Sequence, residues 1–440
     1  MKTACSIWFL LCLAWLSCSA KDSGPFLLLT DHSGGNSDLG ELRDLKAEWR
    51  DGRLELSTSG AERHAWAVIP APNGRWDLSR RAVVSAEIVN TGAEPVGILF
   101  WVVGNHGWDA VVDVASVAPG ESRTFSCDLR ATFPDGTPKL NPGDVKQVQV
   151  MLGQTVLNST KPRVSYRITK PVSVAVGGLK ASGELPEWKR PPGRLDVPDV
   201  EIGPPAAGKR VRYQLEGDAG TGIYSVLNLP EDWRPGKKYP VVVEYPGNIF
   251  FVPACYSSGL PDQCVIGYGM TRGRGAICLG MPFVDRASKS PVENSWGNPD
   301  DTVDHALRMV AEVCARFGGD RENIVLTGFS RGALACGYIG LRNDRVAGLW
   351  KGIHACQHYD GDGWNGATMA GALERATRFK GLAVFQTDNS QSKFQAVMDA
   401  MKTDVTWVDS GLGAHATAMF LDDRPSTLQL REWFRALVAR

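Results

Sequence analysis

The chain has 440 residues, 43% of them apolar and 22% charged, with 48 Lys plus Arg set against 48 Asp plus Glu. That length predicts two or three domains, and that composition excludes a disordered or low-complexity chain. Zero net charge removes the basic excess that nucleic-acid binding calls for, so no nucleic-acid partner is expected.

Residues 1–20 read as a secretory signal. Lys2 supplies the basic start, residues 4–16 an apolar core, and Ser17-Cys18-Ser19-Ala20 the small residues before Lys21. The run is too short to span a bilayer, which takes roughly 20 apolar residues. A secreted or periplasmic location is therefore expected. Lipidation at Cys18 is the alternative, although Trp15-Leu16-Ser17 matches a lipobox poorly. No later stretch is long and apolar enough to span a membrane. Removing residues 1–20 leaves seven cysteines, an odd number, so at least one thiol stays free. Cys255 and Cys264 flank a short loop and form the expected pair. No CxxC spacing occurs, and no metal site is expected.

Residues 25–183 carry short alternating apolar runs at 65–69, 83–89, 96–103, 110–117, 145–152 and 164–168. Turns such as Asn90-Thr91-Gly92, Ala118-Pro119-Gly120 and Asn141-Pro142-Gly143 separate them. This spacing predicts an antiparallel β-sandwich. Trp66, Trp76, Trp101 and Trp108 are candidates for a sugar-stacking platform. Trp101 lies in a wholly apolar run and is expected in the core, which leaves the loop Asn105-His106-Gly107-Trp108-Asp109 as the better candidate. Residues 184–210 are Pro/Gly-rich and read as a semi-rigid linker.

From 211 to 440 strand and helix patterns alternate. Strands are expected at 211–215, 223–229, 239–244, 275–279, 323–327, 348–353, 381–386 and 405–409. Helices are expected at 301–317, 332–341 and 425–438, with Asp300 or Asp301 capping the first. The pattern predicts a mostly parallel sheet with helices on both faces.

Gly328-Phe329-Ser330-Arg331-Gly332 is a G-x-S-x-G segment that follows an apolar strand and opens a helix. That context suits a nucleophile elbow, a sharp turn that presents a strained serine. A serine nucleophile needs a base, and the base an orienting acid, in the chain order Ser, acid, His. Among the three histidines after Ser330, His415 lies in a small-residue loop before the last helix and is the expected base. Asp388, at the end of the preceding strand, is the expected acid, with Asp360, Asp362 and Asp409 as rivals. The oxyanion donors are expected to be the backbone N–H groups of Arg331 and Asn248, the latter in Glu244-Tyr245-Pro246-Gly247-Asn248. Trp296, His354, His358 and Trp364 are candidate pocket-lining residues. The loop Gly361-Asp362-Gly363-Trp364-Asn365-Gly366 mixes the aromatic and polar groups that suit sugar rings.

On YPVVVEYPGN (239–248), DTVDHALRMVAEVCARFGGDRENIVLTGFSRGA (301–333), Gln386-Thr387-Asp388 and Gly413-Ala414-His415, residues 239–440 resemble secreted α/β-hydrolase serine esterases of the feruloyl esterase and polyhydroxybutyrate depolymerase type. The resemblance implies a Ser330-Asp388-His415 triad. Pro246-Gly247 stands where the family has His-Gly. The Ser330-Arg331 pair is also similar to glucuronoyl esterases, in which that arginine side chain assists the oxyanion. The first domain is similar in pattern to carbohydrate-binding sandwich modules. The expected protein is an exported serine esterase without a cofactor, acting on acyl or aryl esters of a polysaccharide. Polyester depolymerase, glucuronoyl-type esterase, serine peptidase and a degenerate, non-catalytic binding module are the alternatives.

Overall fold

The computed structural model describes residues 26–27, 39–61, 65–104, 108–156, 163–165, 167–252 and 255–440. The expected signal segment, and residues 105–107 of the loop around Trp108, lie outside them. No helix of the described residues is long and apolar enough to cross a membrane.

The first region holds two antiparallel sheets. One runs Lys46–Arg50, Arg53–Ser57, Ser173–Glu184, Arg81–Asn90, Ser122–Asp128, with Phe26–Leu27 paired to Ser173–Glu184. The other runs Leu42–Arg43, Ala65–Pro70, Gln147–Val156, Val96–Val103, Ala110–Val117, with Arg163–Ser165 paired to Gln147–Val156. Leu54, Ile88, Phe125 and Val174 of the first sheet share one buried core with Ile98, Phe100, Val148 and Val150 of the second.

Strand Val96–Val103 is buried at all eight positions. Alternation explains how: Ile98, Phe100 and Val102 face the sandwich core, whereas Leu99, Trp101 and Val103 face the second region. There they meet Ile249, Phe251 and Tyr256. Trp66 packs edge-on against Phe251 at 5.5 Å and Trp101 against Tyr256 at 5.0 Å. Tyr256 Oη donates to Gln149 Oε1 at 2.7 Å, and Arg43 makes a two-pronged ion pair with Glu293 at 2.5 and 2.8 Å. This corrects the expected aromatic platform. Trp66 and Trp101 are covered by the second region, Trp76 lies in the sandwich core, and Trp108 is buried beside Phe133.

The predicted linker is anchored at both ends. Leu185 N and Trp188 N donate to the carbonyls of Arg80 and Ser79, and Leu195 N donates to Leu421 O at 2.7 Å. Val197 is buried in the second region's core.

The second region is built on a nine-stranded sheet. Its order is Val200–Glu201, Arg210–Tyr213, Ser225–Asn228, Ile277–Gly280, Tyr239–Tyr245, Gly319–Phe329, Gly352–Cys356, Ala383–Thr387, Asp404–Val408. Ser225–Asn228 pairs antiparallel with both its neighbours, and from Ile277–Gly280 onward every pairing is parallel. Parallel strands need crossovers, and helices Ile266–Thr271, Pro299–Arg316, Arg331–Tyr338, Met369–Ala376 and Gln391–Met401 lie in them. Asn298 caps Pro299–Arg316 by accepting from Asp300 N and Asp301 N, so the cap is Asn298 and neither of the two aspartates. In such sheets, ligands bind beyond the carboxyl ends of the strands.

The seven cysteines among the described residues are free and buried, Cys255 and Cys264 included. The expected disulfide between them is absent. Cys264 Sγ instead contacts Glu244 O at 3.6 Å.

Candidate active site

Ser330 stands between strand Gly319–Phe329 and helix Arg331–Tyr338, with φ 54° and ψ −118°. Positive φ is uncommon for a residue with a side chain and stores strain, which the surrounding packing must hold. The flanking glycines show how tight the turn is. A Cβ on Gly328 would fall 2.2 Å from Gly332 O, and one on Gly332 would fall 1.9 Å from Tyr245 O. Ser330 N donates to Cys356 O on the neighbouring strand. The side chain is left at the sheet's carboxyl edge, in the wall of a cavity of about 380 Å³.

His415 Nε2 lies 2.9 Å from Ser330 Oγ. Its ring packs on Phe329 at 4.6 Å and stands edge-on to His358 at 5.6 Å. Burial, with His358 as a lesser cause, pushes its pKa down to about 4. At neutral pH the imidazole is therefore uncharged and able to accept the serine proton.

Asp388 follows strand Ala383–Thr387 with φ 54°. It borders a neighbouring open cleft of about 810 Å³, which His415 also lines. The expected Asp388–His415 hydrogen bond is not formed in this structure. The Asp388 carboxylate accepts instead from Ser410 N and Ser410 Oγ, both at 2.6 Å, and from Gln357 Nε2 at 3.1 Å. Gln357 Nε2 also donates to Ala414 O at 2.7 Å, so one amide ties the aspartate to the residue before His415. The rival acids are committed elsewhere. Asp360 is buried against Arg375, Asp362 pairs with His358 and Lys393, and Asp409 accepts from Gly411 N.

The backbone N–H groups of Asn248 and Arg331 have no acceptor among the described residues, and both residues line the Ser330 cavity. Arg331 is the first residue of its helix, where N–H groups lack intrahelical partners. Its side chain does something the sequence did not signal. The guanidinium is buried over the Phe283 ring at 3.9 Å. It donates to the carbonyls of Val292, Ser295, Gly247 and Gly259 at 2.9–3.0 Å. Burial without a carboxylate partner lowers its pKa to about 9. The side chain thus pins three loops together beneath the Asn248 turn and points away from the cavity, unlike an oxyanion-assisting arginine. Asn248 itself is held by Ser295 N, which donates to Oδ1, and by Asn294.

Of the four candidate lining residues, His358 and Trp364 border the Ser330 cavity. His354 and Trp296 do not, which corrects both. His354 is fully buried mid-strand between Thr327 Oγ1 at 2.7 Å and Thr387 Oγ1 at 3.0 Å, and burial drives its pKa down to about 3. It follows the strand pattern inward because residues 353–356 are covered on both faces. Trp296 is buried behind Trp364, stacked on Tyr338 at 4.5 Å. The sequence reading missed the remaining wall, Phe250, Val252 and Cys255, from the hairpin Phe250–Val252 and Cys255–Ser257. Its strands are three residues long, too short to give an alternation signal.

No family model matches the chain. Esterase LipQ of Mycobacterium tuberculosis is 29% identical over 158 residues, which is 34% of each chain. The chain therefore spans about a third of the length of that curated relative. Among solved structures, a sugar hydrolase (YeeB) from Lactococcus lactis aligns over 52% of this chain and 99% of its own, at 9% identity and a TM-score of 0.36. A Rhizomucor miehei esterase aligns over 49% and 78%, at 11% identity and a TM-score of 0.33. A family 11 carbohydrate-binding module from Clostridium thermocellum aligns over 37% and 97%, at 17% identity and a TM-score of 0.25.

Proposed function

We propose that this chain is an exported serine ester hydrolase that works through an acyl-enzyme, its catalytic unit the α/β-hydrolase domain expected at residues 211–440, whose sheet also takes in Val200–Glu201 and Arg210. The observation that carries the reading is His415 Nε2 at 2.9 Å from the hydroxyl of a positive-φ serine that opens onto a cavity. The sheet order and the position of each group at a strand's carboxyl end support it, as does the partial sequence similarity to an esterase.

In this mechanism His415 takes the Ser330 proton as Oγ attacks the ester carbonyl. The developing oxyanion receives the N–H groups of Asn248 and Arg331. His415 then returns the proton to the leaving alcohol, and water releases the acyl group by the same route. Asp388 is the orienting acid. Donors from Ser410 and Gln357 hold its carboxylate in place beside the histidine loop. Catalytic hydrogen bonds that are loose without substrate tighten in the complex, and the cleft that Asp388 shares with His415 leaves room for that approach. The substrate is an acyl or aryl ester on a carbohydrate, supported by the aromatic and polar wall of Trp364, His358 and Asp362.

Hydrolysis of p-nitrophenyl acetate and methyl ferulate by the wild type and by Ser330→Ala tests this. Turnover that vanishes with Ser330 is expected, and full activity in the variant would remove the proposed nucleophile.

A further inference from the structure

The Ser330 cavity has two unlike walls. Phe250 and Val252 form an apolar one, which continues directly from the Asn248 turn. His358, Asp362 and Trp364 form the other, on the side of His415. The chemistry of the proposed reaction tells the two apart. His415 must hand a proton to the leaving oxygen, so the alcohol half of an ester lies against His415. The carbonyl oxygen points at Asn248 and Arg331, and the acyl chain takes the direction left over, away from His415.

His358 therefore faces the alcohol. Its Nδ1 lies 2.6 Å from Asp362 Oδ2. The other Asp362 oxygen is paired with Lys393. A carboxylate beside an ammonium only accepts, so the His358 proton sits on Nδ1 and Nε2 keeps a lone pair. Burial and the Lys393 charge lower the His358 pKa, which keeps the ring neutral. The loop is fixed from behind, since Asn389 Nδ2 donates to His358 O at 3.1 Å and also contacts Ala355 O. Nε2 has no partner among the described residues. Lys393 beside the ring disfavours a cationic donor, which leaves a neutral hydroxyl as the matching group.

Building on the esterase reading, we propose that His358 Nε2 accepts a hydrogen bond from a free hydroxyl on the alcohol half of the ester. The site would then select esters of polyhydroxylated alcohols over esters of simple alkanols. Nothing covalent happens at His358, which is a specificity-determining residue beside the reacting atoms.

The test compares 2-hydroxyethyl acetate with 2-methoxyethyl acetate, whose alcohols leave with similar ease but differ in the donor. The wild type should favour the hydroxyl ester in kcat/KM by roughly three- to tenfold, the range of one neutral hydrogen bond. In His358→Leu the ratio should fall to about one. In His358→Gln, whose amide oxygen also accepts, part of it should return, which separates lost recognition from a damaged fold. A wild-type ratio of one, or a ratio that survives His358→Leu, would overturn the inference alone, provided p-nitrophenyl acetate turnover still depends on Ser330. Turnover independent of Ser330 would remove the esterase reading and this inference with it.

Discussion

Ser225, His305 and Asp218 form a continuous hydrogen-bonded array, with Ser225 Oγ 3.0 Å from His305 Nε2 and His305 Nδ1 3.1 Å from Asp218 Oδ2. Ser330 and His415 make the first half of that array and lack the second, because Asp388 is turned to Ser410 and Gln357. By side-chain order alone, the first set is the better triad. Yet all three of its members are at most 1% exposed, and Ser225 lies within an ordinary strand, Ser225–Asn228. Ser330 carries a positive-φ backbone, opens on a cavity and stands beside two unpaired N–H groups. On the proposed function, what sets the nucleophile apart from a structural hydroxyl is access and backbone strain, and the order of three side chains does not decide it.

The largest effects should come from the serines. Ser330→Ala is expected to lower kcat by ten-thousandfold or more, in keeping with losses of roughly that size when a triad nucleophile is removed. Ser225→Ala should leave kcat within about twofold and instead cost about 1–3 kcal/mol of stability, because buried His305 loses its partner. Single-turnover kinetics and urea unfolding of the two variants would separate these outcomes. A kinetic defect in Ser225→Ala would break the contrast.

The aspartates follow. Asp388→Asn should lower kcat by roughly a thousandfold or more if Asp388 swings to His415 in the substrate complex, the scale expected when the acid that sets the imidazole tautomer is lost. An effect below about tenfold would leave a Ser330–His415 dyad. Asp218→Asn should spare kcat and destabilise the fold, since Arg286, Arg308 and His305 all face that carboxylate.

Acid titration sharpens both halves. His415 is held near pKa 4 without substrate, and as the proposed base it has to be neutral. So kcat/KM should stay flat down to about pH 5 and fall below about pH 4. If Asp388 approaches in the complex, it stabilises the imidazolium, and the acid limb of kcat should lie higher than that of kcat/KM. Asp218 is shifted downward chiefly by its His305 hydrogen bond. The stability it contributes is present above the ordinary carboxylate range and is lost as pH falls through the lowered value. Buried His354, near pKa 3, adds to acid lability: below about 6.5 the unfolded chain takes up a proton that the folded chain refuses.

Much of this architecture was legible in the sequence because its signals are local. Strand 239–244 runs one residue further, to Tyr245, and the last helix spans 425–438 as expected, since apolar runs and Pro425 mark them. The elbow was legible because Gly328 and Gly332 are sterically required. Partners chosen by tertiary packing were not. Nothing around His305 announces Ser225, 80 residues away, and Arg331 finds four carbonyls spread from residue 247 to residue 295. His354 and His358 look alike in sequence, yet one lies inside the strand Gly352–Cys356 and the other just past it. The tryptophans misled for a related reason. A sheet face rich in Trp can bind a sugar or a neighbouring domain, and composition does not say which.

The smallest effect tests that last choice. The sandwich reaches both sides of the site. Trp66, Trp101 and Gln149 hold the hairpin that walls the cavity. Asp135 and Thr137 hold Arg424, whose Nη1 also donates to the carbonyl of Ser410, the residue that donates to Asp388. Tyr256→Phe keeps the ring packing and removes only the hydroxyl bond to Gln149, both ends of which are buried. The expected cost is about 1 kcal/mol of stability, with Gln149 left partnerless on that side. Because Tyr256 belongs to the cavity hairpin, kcat/KM should drop by a fewfold with soluble esters that never touch the sandwich. If the sandwich were only a sugar-binding appendage, the same variant would leave soluble-ester kinetics unchanged and alter only retention on polysaccharide. The two readings thus diverge on a substrate too small to reach both domains.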